Sequence, residues 1–103
     1  MSVLVEFAMF PTDKGGSVSE YVSRIIKMVD NSGYKYKLTP MGTIIEAGTM
    51  DEILGIIKKA YELLEPDCGR IYSTIKFDIR KDSDNRLEGK VDSVEQKIGK
   101  VEK

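Results

Sequence analysis

The stretch Tyr34-Lys35-Tyr36-Lys37-Leu38-Thr39-Pro40-Met41-Gly42-Thr43-Ile44-Ile45-Glu46-Ala47 decides the fold. Tyr34, Tyr36 and Leu38 alternate with Lys35, Lys37 and Thr39, which is the period of an extended strand. Thr43 to Ala47 is a second apolar, β-branched run, and Pro40-Met41-Gly42 between them is a short connection, so the pair reads as a hairpin. Helical patterns flank it on both sides. Upstream, Ser17 and Glu20 form a capping box ahead of Val18, Tyr21, Val22, Ile25, Ile26 and Val29 on one helical face. Gly33 is placed to end that helix in a left-handed conformation. Downstream, Thr49 and Glu52 form a second box, opening a helix with Ile53, Leu54, Ile56, Ile57, Ala60, Tyr61 and Leu64 inward, and Pro66 stops it.

Further out lie two more strands. Val3, Val5, Phe7 and Met9 alternate with Leu4, Glu6, Ala8 and Phe10, and the loop Pro11 to Gly16 follows. From Arg70 to Arg80, Ile71, Ser73, Ile75, Phe77 and Ile79 face one way, and Tyr72, Thr74, Lys76, Asp78 and Arg80 the other. After the polar turn Lys81 to Asn85, Leu87, Val91, Val94, Ile98 and Val101 mark the seam of a short amphipathic helix that docks on its own domain or on a neighbouring subunit. The order β-α-β-β-α-β predicts a ferredoxin-like α+β sandwich. Residues 1–103 then form one domain: a four-stranded antiparallel sheet, two helices on one face and an extra C-terminal helix. Val5, Phe7, Ile45, Ile75 and Phe77 are expected under the helices. Glu6, Ala8, Phe10, Thr39, Ile44, Glu46, Tyr72, Thr74 and Asp78 are expected on the opposite face, a mixed surface that calls for a partner or a ligand.

Composition narrows the chemistry. The 103 residues carry 16 Lys+Arg against 17 Asp+Glu, with 41% hydrophobic residues, one Cys and no His. A net charge of -1 gives no electrostatic reason to expect nucleic-acid or anionic-membrane binding. The lack of histidine removes His-based triads and His-ligated zinc, and a lone Cys68 removes an intrachain disulfide and thiolate metal sites. No apolar run approaches the ~20 residues that span a bilayer, and no secretory pattern opens the chain, so a cytoplasmic location is expected.

The fold plan alone fixes no function. Copper chaperones need cysteines in the first loop, acylphosphatases an arginine cradle there, and RNA-recognition domains a basic, aromatic sheet face. Pro11 to Gly16 has no cysteine and only Lys14, and the outward strand positions include Glu6, Ile44 and Glu46. Gly15-Gly16 lacks the spacing of a phosphate loop. Cys68 has no histidine to activate it and reads as inert. Glu6 and Glu46 share a face and could bind a cation or pair with Lys37 or Lys76. Tyr36 reads either as an aromatic platform or as packing.

At Leu38-Thr39-Pro40-Met41-Gly42-Thr43-Ile44-Ile45-Glu46 the chain resembles the small thiamine-binding protein family, related to YkoF-type pyrimidine-salvage binding proteins. The opening strand ending in Pro11, the Lys76-Phe77-Asp78-Ile79-Arg80 strand end and the Lys90-Val91…Val94 helix extend the resemblance over nearly the whole chain. It implies a ferredoxin-like homodimer or homotetramer that binds thiamine, or a related aminopyrimidine, as a ligand rather than a cofactor, and catalyses nothing. The motif carries over Thr43 and Glu46 as ligand-binding residues. Geometry adds Thr39, Phe10 and Tyr36, with no catalytic or metal-binding residue. A thiazolium cation over Phe10 or Tyr36 would gain roughly 0.5–2 kcal/mol, and Glu46 could accept from the exocyclic amine. The unphosphorylated ligand is favoured, because no arginine cluster awaits a phosphate. A regulatory or scaffold domain acting through protein association is the alternative reading.

Overall fold

Strict alternation shapes the first strand. In the computed structural model, which describes residues 1–16 and 18–100, β1 runs Ser2–Pro11 with Val3, Val5, Phe7 and Met9 buried. The remaining elements are α1 (Val18–Asp30), β2 (Lys35–Thr39), β3 (Gly42–Ala47), α2 (Met50–Leu64), β4 (Ile71–Arg80) and α3 (Arg86–Ile98). The strands form one antiparallel sheet in the order β2-β3-β1-β4, giving the ferredoxin-like βαββαβ fold.

The local signals act as their chemistry requires. Thr49 caps α2, its hydroxyl oxygen accepting from the Glu52 N–H at 3.2 Å. That hydroxyl donates to Glu52 Oε1 at 2.9 Å, so the box closes through the two side chains. The expected box at Ser17 lies outside the described residues, as does Val101. Gly33 takes φ +84°, a conformation that favours glycine. In the hairpin turn, Thr39 Oγ1 accepts from the N–H groups of Met41 and Gly42, each at 3.2 Å, and donates to Gly42 O at 2.8 Å.

The core lies between one sheet face and the helices α1 and α2. Phe7, Ile45, Ile53, Leu64, Val3, Val5 and Val29 are among its fully buried side chains. Pairing Val5 with both Ile45 and Phe77 puts those three on the same face. Coverage differs along that face. α1 and α2 pack over β1, and α2 reaches β3, but at the edge strand Ile75, Phe77 and Ile79 stay 40%, 42% and 44% exposed. The expectation that Ile75 and Phe77 lie under the helices is therefore corrected. Their direction is as expected, but their strand is the overhanging one.

α3 approaches the opposite face. Leu4 of β1 pairs with Glu46 and Asp78, so these three point away from α1 and α2, and the start of α3 bonds to Glu46 and Asp78. Among the described residues of its apolar seam Leu87 is buried and Val91 half-buried, whereas Val94 is exposed and Ile98 is 73% exposed, so burial falls off along the helix from its first turn.

Candidate ligand-binding site

The site begins with a helix that cannot cap itself. Asn85 precedes α3 in a left-handed conformation and makes no side-chain capping bond. A β3 side chain supplies the missing acceptor: Glu46 Oε2 accepts from Arg86 N at 2.7 Å, and Glu46 Oε1 from Leu87 N at 3.2 Å. A carboxylate at a helix N-terminus satisfies otherwise unpaired N–H groups and meets the positive end of the helix dipole. Ser2 Oγ donates to the same Oε2 at 2.7 Å. Burial, to 9% exposure, would push the Glu46 carboxyl up. The bonds from Ser2, Arg86 and Leu87, with Lys35 nearby, outweigh it and hold the group below its ordinary value. Glu46 is thus a buried, ionised carboxylate.

Arg86 locks the same corner. Its Nε donates to Ser2 Oγ at 3.2 Å, Nη2 to Ser2 O at 3.0 Å and also to the Asp78 carbonyl, and Nη1 pairs with Asp78 Oδ2 at 3.0 Å. Clefts flank this contact. One cleft, of about 340 Å³, is lined by Ser2, Tyr34, Lys35, Glu46, Glu52 and Asp84, with neighbouring backbone. A second, of about 510 Å³, lies along Leu4, Asp78, Arg80, Arg86 and Ser93. Both are in the size range of small-molecule sites. In the first, the Tyr34 phenol is pushed up by its hydrogen bond with Glu52, and Lys35 Nζ donates to Asn85 Oδ1 at 2.7 Å. That cleft combines an aromatic ring with three carboxylates.

The five residues expected to bind ligand do not meet in this chain. Thr43 pairs with Phe7 and Tyr36 with Ile45, which places both on the face that α1 and α2 cover. Thr43 is buried, and Tyr36 packs on the core while its hydroxyl donates to Asp30 Oδ1 at 2.6 Å. Glu46, Thr39 and Phe10 share the other face. There the Thr39 hydroxyl is taken up by the hairpin turn. Phe10 lies far along β1 beside Tyr72, the ring centroids 5.8 Å apart. Only Glu46 lines a cleft. Glu6 and Glu46 are not a proton-sharing pair either: Glu6 pairs with Lys76 at 3.7 Å, whereas Glu46 holds α3.

Sequence reading missed Ser2, Tyr34, Asp84 and Arg86, and gave Glu52 a capping role alone. One signal was available: a glutamate in an apolar strand needs donors, and the segment before Arg86 offers its helix no side-chain cap. Elsewhere, burial pushes the Cys68 thiol up, away from thiolate chemistry. Among the described residues no group of three or more Cys, Asp or Glu side chains is arranged to hold a metal ion, and no helix is long and apolar enough to cross a membrane.

These features define a ferredoxin-like α+β protein with an acidic, aromatic-walled cleft between the ends of its strands, the start of α2 and the segment that leads into α3. The chain belongs to the thiamine-binding protein family, whose model matches residues 5–95. Among its relatives, the UPF0045 protein MJ1052 of Methanocaldococcus jannaschii is 37% identical over 92 residues, covering 89% of this chain and 91% of that protein. The UPF0045 protein MT1949 of Mycobacterium tuberculosis is 33% identical over 103 residues, covering 100% and 94%. The crystal structure of MJ1052 superposes with a TM-score of 0.80 over 90% of this chain and 95% of that one. A Thermotoga maritima protein named for thiamine biosynthesis or salvage superposes at 0.79, with 26% identity, over 91% and 99%. The family is described by binding and not by a reaction.

Proposed function

We propose that this protein binds thiamine, or a related aminopyrimidine, as a homo-oligomer in the cytoplasm and catalyses no reaction on it. The observation that carries the reading is the cleft walled by Tyr34, Glu46 and Glu52, in a chain that belongs to the thiamine-binding family. Thiamine presents a permanent thiazolium cation and an aminopyrimidine. The cation suits an aromatic face, a contact worth roughly 0.5–2 kcal/mol. The exocyclic amine suits a carboxylate acceptor. Glu46 Oε1 accepts one long bond, from Leu87 N, and a carboxylate oxygen can accept more than one donor. Glu52, hydrogen-bonded with Tyr34, carries a second carboxylate in the same cleft. Of the residues expected from sequence, the reading keeps Glu46 and joins it to Tyr34 and Glu52.

The absence of catalysis is supported by the same inventory. The chain has no histidine, and burial raises the Cys68 thiol, so neither a histidine base nor a reactive thiolate stands beside the cleft. Isothermal titration with thiamine, its phosphates and hydroxymethylpyrimidine tests the reading. Thiamine is expected to bind, and Glu52→Gln to weaken it by about 1.5 kcal/mol, roughly tenfold, as one charge-assisted bond is lost. Wild-type protein that binds none of these ligands at micromolar concentration would overturn it in favour of a scaffold domain.

A further inference from the structure

We propose that the cleft between α3 and β4 is a second ligand site, which takes a small molecule bearing an oxyanion, a carboxylate or a phosphoryl group, on Arg80 and Arg86. It lies beside the acidic cleft and does not depend on the thiamine reading. The turn at residues 81–85 brings the start of α3 against the open sheet face, so Arg80 of β4 and Arg86 of α3 meet at one cavity of about 510 Å³. Spacing on the helix makes the room. Arg86, Gly89 and Ser93 are the α3 residues that line the cavity; they share one helical face, and two of them are small. Leu4 is the apolar floor, and every other lining residue is polar or glycine. Walls of that kind suit a small polar ligand, because they offer a hydrophobic one little apolar area to bury.

Charge and unspent donors decide the class of ligand. The two carboxylates of the lining are already answered: Asp78 Oδ2 pairs with Arg86 Nη1 at 3.0 Å, and Asp84 Oδ1 accepts from the Met1 amino group at 3.2 Å. The guanidinium groups have donors to spare. Arg80 meets Asp82 through one Nε contact at 3.4 Å, between side chains both more than half exposed, and such a pair is worth little in water. Among the described residues no bond engages its Nη1 or Nη2. The Arg86 side chain is only 10% exposed. Its Nη1 carries two N–H groups and meets one described acceptor, Asp78 Oδ2. Planar N–H pairs of this kind match the oxygens of a carboxylate or a phosphate, and Ser93 adds a hydroxyl from the helix wall. An oxyanion seated there bonds to β4 through Arg80 and to α3 through Arg86. It ties the helix to the sheet at a second point beside the Glu46 cap.

Inorganic phosphate and succinate are the probes, each titrated against chloride of equal ionic strength. NMR spectra follow the amides of Gly89 and Ser93 and the Nε–H groups of Arg80 and Arg86. Saturable shifts are expected, and the probe that saturates at the lower concentration names the phosphoryl or the carboxylate source. Arg80→Gln, at an exposed strand end, is expected to weaken saturation at least about tenfold, as paired charge-assisted bonds are lost. A ligand that bridges β4 and α3 must also leave before the helix can open. At ten times its Kd it should slow amide exchange across residues 87–98 about tenfold, and Arg80→Gln should abolish that effect. Shifts that saturate with neither probe below roughly 50 mM, or that survive Arg80→Gln unchanged, overturn the site. Saturation without slower α3 exchange overturns the bridge and leaves the anion on Arg80 alone.

Discussion

Glu46→Ala tests the role of the buried carboxylate most directly. The substitution removes the acceptor from two helix N-terminal N–H groups and from the Ser2 hydroxyl, all now bonded at 2.7–3.2 Å. Loss of a helix cap costs about 0.5–2 kcal/mol. Leaving a buried donor without a partner costs about 1–3 kcal/mol more, and Ser2 and Leu87 are both buried. Together these come to roughly 1.5–5 kcal/mol. The loss falls on α3 rather than on the whole domain, because Glu46 bonds the first residues of α3 to the sheet. A 13-residue helix is marginal on its own. The expected result is that α3 releases and unfolds while the sheet and the other two helices persist. Amide hydrogen exchange should show residues 87–98 losing protection, with β1 and β3 unchanged. The helices are of 13, 15 and 13 residues, so far-UV ellipticity should fall by about a third. The effect has a pH signature. The folded pKa of Glu46 lies below its ordinary 4.5, so its contribution is complete above about pH 4.5 and is lost as pH falls through the folded value. Glu46→Gln, uncharged throughout, should remove that component of the acid transition. Unaltered α3 protection in Glu46→Ala, or an acid transition the same in wild type and Glu46→Gln, would refute the capping role.

Two further substitutions probe the frame that holds the site. A Cβ on Gly42 would stand 3.0 Å from the Phe7 carbonyl oxygen, and backbone on both sides resists moving. Gly42→Ala should therefore cost about 1–3 kcal/mol in urea unfolding, and an unchanged midpoint would show that the hairpin tip relaxes freely. Thr39→Ala removes the hydroxyl that ties the turn through three hydrogen bonds. It should cost about 0.5–1.5 kcal/mol by the same measurement and leave thiamine titration unchanged, whereas a loss of binding would return Thr39 to the ligand site.

The elements were legible because their signals are local. Alternation in β1 and β4, the Thr49 cap and the stop at Pro66 each depend on residues within a few positions. What escaped depends on distance. Ile75 and Phe77 alternate as cleanly as Val5 and Phe7, but alternation gives only a direction and says nothing of whether a helix reaches that far across the sheet. Likewise the seam Leu87, Val91, Val94, Ile98 has the right period, but period does not reveal that burial falls off along it, from Leu87 to the exposed Val94 and Ile98. The five candidate ligand residues divided for a related reason. Thr43 and Glu46 lie three apart in one strand, so they must point to opposite faces. That much could have been counted from the sequence.

Glu46 shows why a motif residue need not act as its chemistry first suggests. A glutamate that satisfies two amides of α3 from a strand position 40 residues before Arg86 is needed for the fold whether or not a ligand arrives, so its place in the motif does not by itself assign it to binding. The two roles are nevertheless compatible, because they use different resources. Capping engages Oε2 with two donors at 2.7 Å and Oε1 with one at 3.2 Å, which leaves Oε1 with more capacity to accept a further donor. If both roles hold, ligand and helix share one carboxylate, and occupancy of the cleft should raise the exchange protection of residues 86–89. Thiamine binding that leaves those amides unchanged would separate the site from the cap and move it to Tyr34 and Glu52 alone.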